Sequence, residues 1–360
     1  MTPAMATGIS GELRVRTEQG PAWDALIDRA PTATVYHREA WLGALESTTG
    51  TPIHRLVCEH DGQPVCCWPI GLMRKGPLRV GGSPLPGWNT AYLGPVFLAH
   101  AGIEQPGDPL AILRAMTHTS PIKNPSFLAL RLMDADIDLA PMGFRETRAF
   151  ETYEMDLTRG EEALWSGLKS TCRTRIRKGE KNGLEIREET DGSYLDPFWT
   201  MASDVFAKSN QRPPYSRELL GLIESRLRAN EELLVTSAFK DGERVATLIV
   251  PHDGRSAMYF AGGTHASALA LAPNNLLHWK TMLLCMERGI RTYDFISNRG
   301  SPGKFKKTFG PNERVSCRHW ERAGNPLVAK LRDVYEKRAR AGRRITPDSG
   351  MSSGTAGGDA

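Results

Sequence analysis

Short apolar runs recur along the chain, bounded by glycine, proline or Asp-Gly pairs, and alternate with segments of helical period. Glu12–Thr17 reads as a strand. Ala22–Ala30 and Arg38–Ser47 read as short helices, the second with Trp41, Leu42 and Leu45 on one side. Ile53–His60 and Pro64–Leu72 form a hairpin across Asp61-Gly62. A helix at Pro109–His118 and a strand at Phe127–Leu132 complete a first unit, 12–149. The second unit, 150–322, opens with the strand Tyr153–Leu157. A helix follows from Glu161, with Thr158 and Glu161 spaced as a capping box. That helix continues to Asn182-Gly183, with Trp165, Leu168, Cys172 and Ile176 facing inward. Then come a strand at Leu184–Glu188, helices at Pro197–Ser209 and Ser216–Ala229, and a hairpin of Leu233–Lys240 with Arg244–His252 across Asp241-Gly242. Ser256–Ala261 and Ile290–Ile296 are strands around a helix, Asn275–Arg288, that Gly289 stops as a C′ residue. Val315–Glu321 is the last strand. Residues 323–345 hold a basic helix, and 1–11 and 346–360 are polar ends expected to be disordered. The pattern is that of an α/β chain in two units, with mixed sheets flanked by helices.

Composition narrows the class. A chain of 360 residues with 40% hydrophobic and 24% charged residues is a soluble globular protein with room for two domains. No apolar run approaches the ~18 residues of a membrane span, and the N-terminus lacks a secretory apolar core, so a cytoplasmic protein is expected. The six cysteines (Cys58, Cys66, Cys67, Cys172, Cys285, Cys317) form no C-x-x-C pair and read as reduced thiols. The nine histidines lack metal-ligand spacing, so no metal is expected; neither a G-x-S-x-G elbow nor a P-loop occurs. A net charge of +5 is compatible with a polyanionic partner.

Two charge patterns sharpen that. Lys169, Arg173, Arg177 and Lys181 recur every four residues, thickened by Arg175 and Lys178 and opposed only by Glu180. On one helix they make a stripe suited to a phosphate backbone, or simply a solvated face. Within Tyr293–Arg314 lie Lys304, Phe305, Lys306, Lys307 and Phe309, after a Gly/Ser/Pro loop. Three lysines in four positions suit a phosphate or an oxyanion; the alternative is a solvated turn. Asp294, at the end of the preceding strand, could orient a lysine, accept a proton or cap a turn. Tyr259 and Tyr293, on neighbouring strands, are candidates to hydrogen-bond an acceptor, or are sheet aromatics. The long segment 81–90 with Trp88, and Tyr92 after it, is a pocket wall or a covering loop. His265 and Asn298 are lesser candidates.

The order of elements in 150–320, the helix Leu164–Gly183 and the run PNNLLHWKTMLLCMERGIRTYDFISNRGSPGKFKKTFG (273–310) together resemble the Fem-type aminoacyl transferases and FemAB-like acetyltransferases of the GNAT superfamily. The likeness spans roughly residues 30–320 and implies two GNAT-like domains in tandem, with the acceptor cleft near their junction. It implies transfer of an aminoacyl group from tRNA to an amine or hydroxyl of a small-molecule or peptide acceptor, with no cofactor. Phe305-Lys306 matches the family's Phe-Lys, whose lysine stabilises developing negative charge. Asp294 joins them as a catalytic candidate; Lys304, Lys307, Lys169, Arg173, Arg177 and Lys181 would hold tRNA, with the C-terminal helix. Trp88, Tyr92, Tyr259 and Tyr293 would face the acceptor. The alternative donor is acetyl-CoA, acylating a sugar amine. Gly262–Asn275, GGTHASALALAPNN, lacks the R-x-x-G-x-G of a CoA cradle, and Gly81-Gly82 has no Arg-Gly loop beside it, which favours tRNA. No segment matches the helical-hairpin arm of some Fem enzymes.

Overall fold

The structure is a computed structural model describing residues 11–99, 108–119, 122–123, 125–133, 136–208 and 210–342; the expected disordered ends lie outside it except for residue 11. The first unit holds strands β1 (Leu13–Thr17), β2 (Ile53–His60), β3 (Gln63–Lys75), β4 (Leu78–Ser83), β5 (Val96–Phe97) and β6 (Phe127–Leu132), with helices α1 (Gly20–Ile27), α2 (Glu39–Thr49) and α3 (Pro109–His118). Strand β7 (Arg145–Asp156) spans the expected boundary at 149/150, and after it come α4 (Glu161–Gly167), α5 (Ser170–Lys181), β8 (Glu185–Glu188), α6 (Leu195–Ala207), α7 (Arg217–Ala229), β9 (Leu233–Lys240) and β10 (Glu243–Pro251). The chain continues with β11 (Ser256–Met258), β12 (Ala261–Thr264), α8 (Pro273–Glu287), β13 (Thr292–Asp294), α9 (Gly300–Lys306), β14 (Asn312–Ala323) and α10 (Pro326–Gly342).

A mixed sheet runs β1-β2-β3-β4-β6-β14-β7-β13-β11, with β5 beside β3; a second runs β12-β10-β9-β8. The late strand β14 inserts antiparallel between β6 and β7, so the two units share one continuous sheet. They also share a core. Trp23, Trp41 and Leu45 pack with Phe198, Leu220 and Ile223 of α6 and α7. Both hairpin turns form as their Asp-Gly pairs predict, with Asp61, Gly62, Asp241 and Gly242 all at positive φ.

The sequence-read strand 256–261 divides. β11 pairs in parallel with β13, and β12 pairs antiparallel with β10 in the other sheet. Tyr259 and Phe260 make the transfer: the Tyr259 amide donates to the Asp294 carbonyl (2.9 Å) and the Phe260 amide to the Ile249 carbonyl (3.1 Å). The two sheets diverge here, and the chain leaves the end of β13 in a turn whose Phe295 amide donates to the Tyr153 carbonyl (2.9 Å).

The single helix expected over 164–183 is two helices. Leu168 has an extended ψ of 141°, and the Lys169 amide donates to the Thr308 carbonyl (2.9 Å) instead of continuing α4. Gly310 supports the break by packing against the Gly167 carbonyl, where a Cβ would come within 2.2 Å. The expected capping box is also absent. Thr158 lies in a short 3-10 turn held by Asp156, and Gly160 caps α4.

Candidate active site

The lysine-rich segment is not a loop but the helix α9, and its helical spacing sorts the three lysines. Lys304 and Lys307, three apart, share an exposed face; Lys306 falls on the opposite side and is buried, with 6% exposure. Its ammonium donates to the carbonyls of Phe295 (2.6 Å) and Ser297 (3.3 Å) and lies 5.2 Å from the centre of the Tyr259 ring. Burial pushes the Lys306 amine down to about 8, with the Asp294 carboxylate opposing that shift. Phe305, half-buried, and Phe309 pack with Phe295 around His278 of α8, each ring centre within 5.6 Å of the imidazole.

Between the two carbonyls that Lys306 holds sits Ile296, at φ +68°. A β-branched residue in the left-handed region is strained by about 1–3 kcal/mol and persists only where its surroundings enforce it. They do so from both sides. Lys306 grips the flanking carbonyls, and the Asp294 carboxylate accepts the Ile296 amide. Asp294 is fully buried; it also accepts from the Thr152 hydroxyl and from Tyr92 Oη (2.9 Å), with Arg314 at 3.8 Å. Desolvation raises its pKa, against these hydrogen bonds and Arg314. No hydrogen bond joins it to Lys306 among the described residues: Asp294 and Lys306 clamp the same turn separately.

Tyr92 therefore faces Asp294 as a bond between the two units. Removing its hydroxyl leaves a buried carboxylate short of one donor, so Tyr92→Phe is expected to destabilise by about 1–3 kcal/mol, measured by denaturant unfolding. An unchanged midpoint would show that the bond contributes nothing.

A cleft of about 520 Å³ opens beside this turn, lined by Tyr153, Asn298, Gly300, Gly303, Lys304 and Lys307. Asn298 donates to Glu151 (3.1 Å) and Glu313 (2.5 Å), which sets its side chain over the paired strands β7 and β14. Trp88 is half-buried and packs on the shared core. Tyr259 is half-buried at the sheet divergence, where desolvation raises its phenol to about 12. Tyr293 is a correction: it is wholly enclosed and hydrogen-bonded to His278 Nδ1 (2.9 Å), so it cannot meet an acceptor.

The basic stripe is corrected too. Lys169 stays exposed at the N-cap of α5, whereas Arg173 turns back to the carbonyls of Trp165, Ser166 and Leu168, satisfying the end of α4. Arg177 lies 5.5 Å from the Trp165 ring, and it, Arg175, Lys178 and Lys181 remain exposed. Sequence reasoning missed His278, Thr152, Ile296 and Arg314. None carries a local motif, and Tyr92 stands 202 residues from the carboxylate it meets.

Residues 166–306 match the family model of the acetyltransferase (GNAT) domain. No curated protein matches the chain. Among solved structures the chain is similar to FemX, at 12% identity and a TM-score of 0.72 over 88% of this chain and 99% of that one. It is also similar to the C-terminal domain of a putative lysylphosphatidylglycerol synthetase from Agrobacterium fabrum (14%, TM-score 0.53, 87% and 93%). A tandem GNAT protein from the clavulanic acid biosynthesis pathway aligns at 14% identity with a TM-score of 0.50, over 88% and 99%. The chain thus has the fold of FemX and of a tandem GNAT protein, with an acetyltransferase (GNAT) domain match over residues 166–306.

Proposed function

We propose that the chain transfers an aminoacyl group from aminoacyl-tRNA to an amine or hydroxyl of a small-molecule or peptide acceptor. The observation that carries this reading is one dry ammonium, Lys306, held at a strained turn whose neighbouring cleft is rimmed by two exposed lysines. The acceptor nucleophile attacks the ester carbonyl, the new C–N or C–O bond forms, the bond between the acyl carbon and the ribose oxygen breaks, and the acceptor's proton ends on that ribose oxygen. The donor is already an activated ester, so no covalent enzyme intermediate is needed. Lys304 and Lys307 bind the terminal phosphates, helped by Arg177 and Lys181. Lys306 offsets the oxyanion charge in a poorly hydrated site, Phe305 packs its helix, and Asp294 holds the turn. Trp88 and Tyr259 border the acceptor side; Tyr92, expected there too, is buried with its hydroxyl on Asp294 and cannot meet an acceptor.

The match to an acetyltransferase domain favours a second reading, in which acyl-CoA donates to a sugar amine. Against it stands the start of α8, where a pyrophosphate would need free amides. Pro273 has no amide hydrogen, Pro273 and Asn275 are buried there, and Gly179 of α5 packs on Leu276. Mass spectrometry of reactions given a full set of charged tRNAs is expected to show an aminoacylated product that RNase treatment abolishes. RNase-insensitive transfer from acetyl-CoA, with thermal protection by coenzyme A, would replace the first reading by the second.

A further inference from the structure

We propose that α10 is a peripheral anchor that lays this protein on an anionic phospholipid surface. Its inner side is settled: Val328 is buried on Phe127 and Ala129, and Arg332 is bonded to Glu321 of β14. About a quarter-turn around the same helix, Leu327, Leu331 and Val334 follow i, i+4, i+7 spacing. They are 66%, 49% and 48% exposed, three of the five large apolar side chains exposed among the described residues. Lys330 is exposed beside them. Residues 326–344 carry seven Lys/Arg against two acids, an excess equal to the whole chain's net charge of +5. No described helix is long and apolar enough to cross a membrane. An aliphatic stripe with an exposed lysine beside it, on a segment of net charge +5, is the pattern of a helix lying in the headgroup layer, where leucines enter the acyl boundary and cations meet lipid phosphates.

Other occupants fit less well. An RNA backbone uses the cations but gains nothing from two leucines and a valine. A second copy would bury roughly a few hundred Å² on this stripe, far below the ~1,200 Å² of a stable interface. The chain's own residues 343–360 offer only Ile345 and Met351 as large apolar side chains. The inference does not depend on the donor.

The test is co-sedimentation of the full chain with vesicles of phosphatidylcholine mixed with phosphatidylglycerol, against phosphatidylcholine alone. Partition is expected only onto the anionic vesicles and to weaken with salt. Leu327→Gln/Leu331→Gln should lower it by roughly tenfold or more with an unchanged thermal midpoint, because both side chains are already in solvent. Lys330→Glu should weaken it further. Four results overturn the proposal: no partition; equal partition onto neutral vesicles; partition unaffected by the double variant; or a double variant that instead abolishes a dimer or lowers tRNA binding.

Discussion

Lys306→Ala is expected to lower acyl transfer at saturating donor by about a hundred- to a thousandfold, the scale seen when one oxyanion-stabilising group is removed. The same loss is expected in Lys306→Met, which keeps the stem against Tyr259 and removes only the charge. Either change leaves the Phe295 and Ser297 carbonyls without their donor, at a cost of about 1–3 kcal/mol, so stability is measured alongside rate. Transfer by Lys306→Met at the wild-type rate would remove the charge from the mechanism. The pH response separates the two roles, because they run in opposite directions. With an amine pushed down to about 8 from 10.5, the folded protein binds this proton less tightly than the unfolded chain. Lys306 therefore costs stability below pH 8, and that cost fades as pH rises toward 10.5. Over the same rise the ammonium disappears, and transfer is expected to fall through about pH 8. A rate that tracks stability upward across this window would mean that the neutral amine is the active form.

The second large effect is expected at Gly303. Helix α9 brings this residue against the turn it clamps, and an added Cβ would lie 1.9 Å from the Asn298 carbonyl oxygen and 2.4 Å from its carbon. Both are backbone atoms, so no side chain can swing aside. Gly303→Ala must push α9 away from residues 295–298 by an ångström or so. Overpacking of this kind costs about 1–3 kcal/mol. The effect on rate is direct: displacement of a catalytic group by about 1 Å is enough for a hundredfold loss. Transfer should collapse while thermal unfolding shifts by only a few degrees. A variant that keeps its rate would show that the placement of α9 on the turn does not matter to the reaction.

These expectations rest on geometry only partly legible in the residues. The Asp-Gly hairpins, the helix Pro109–His118 and the Gly289 stop of α8 are set by neighbours in sequence, through positive φ and helical period, and they form where the pattern places them. The lysine cluster and its aromatic companions were visible for the same reason. The inward turn of Lys306, unlike Lys304 and Lys307, required knowing that the segment is helical and that its inner face meets the carbonyls of 295 and 297. Arg173 looked like a free member of the stripe because helix continuation is the local default. A carbonyl at Thr308, far along the chain, broke that helix and turned Arg173 to capping.

Local backbone preference and the alternation of apolar and polar side chains were thus enough, without coordinates, to lay out the α/β order and the basic segments. Which cation is dry, which tyrosine is sealed away, and how Tyr92 reaches Asp294 were decided only when distant strands came together. Desolvation and cross-unit hydrogen bonds depend on neighbours that the chain's linear order does not bring near.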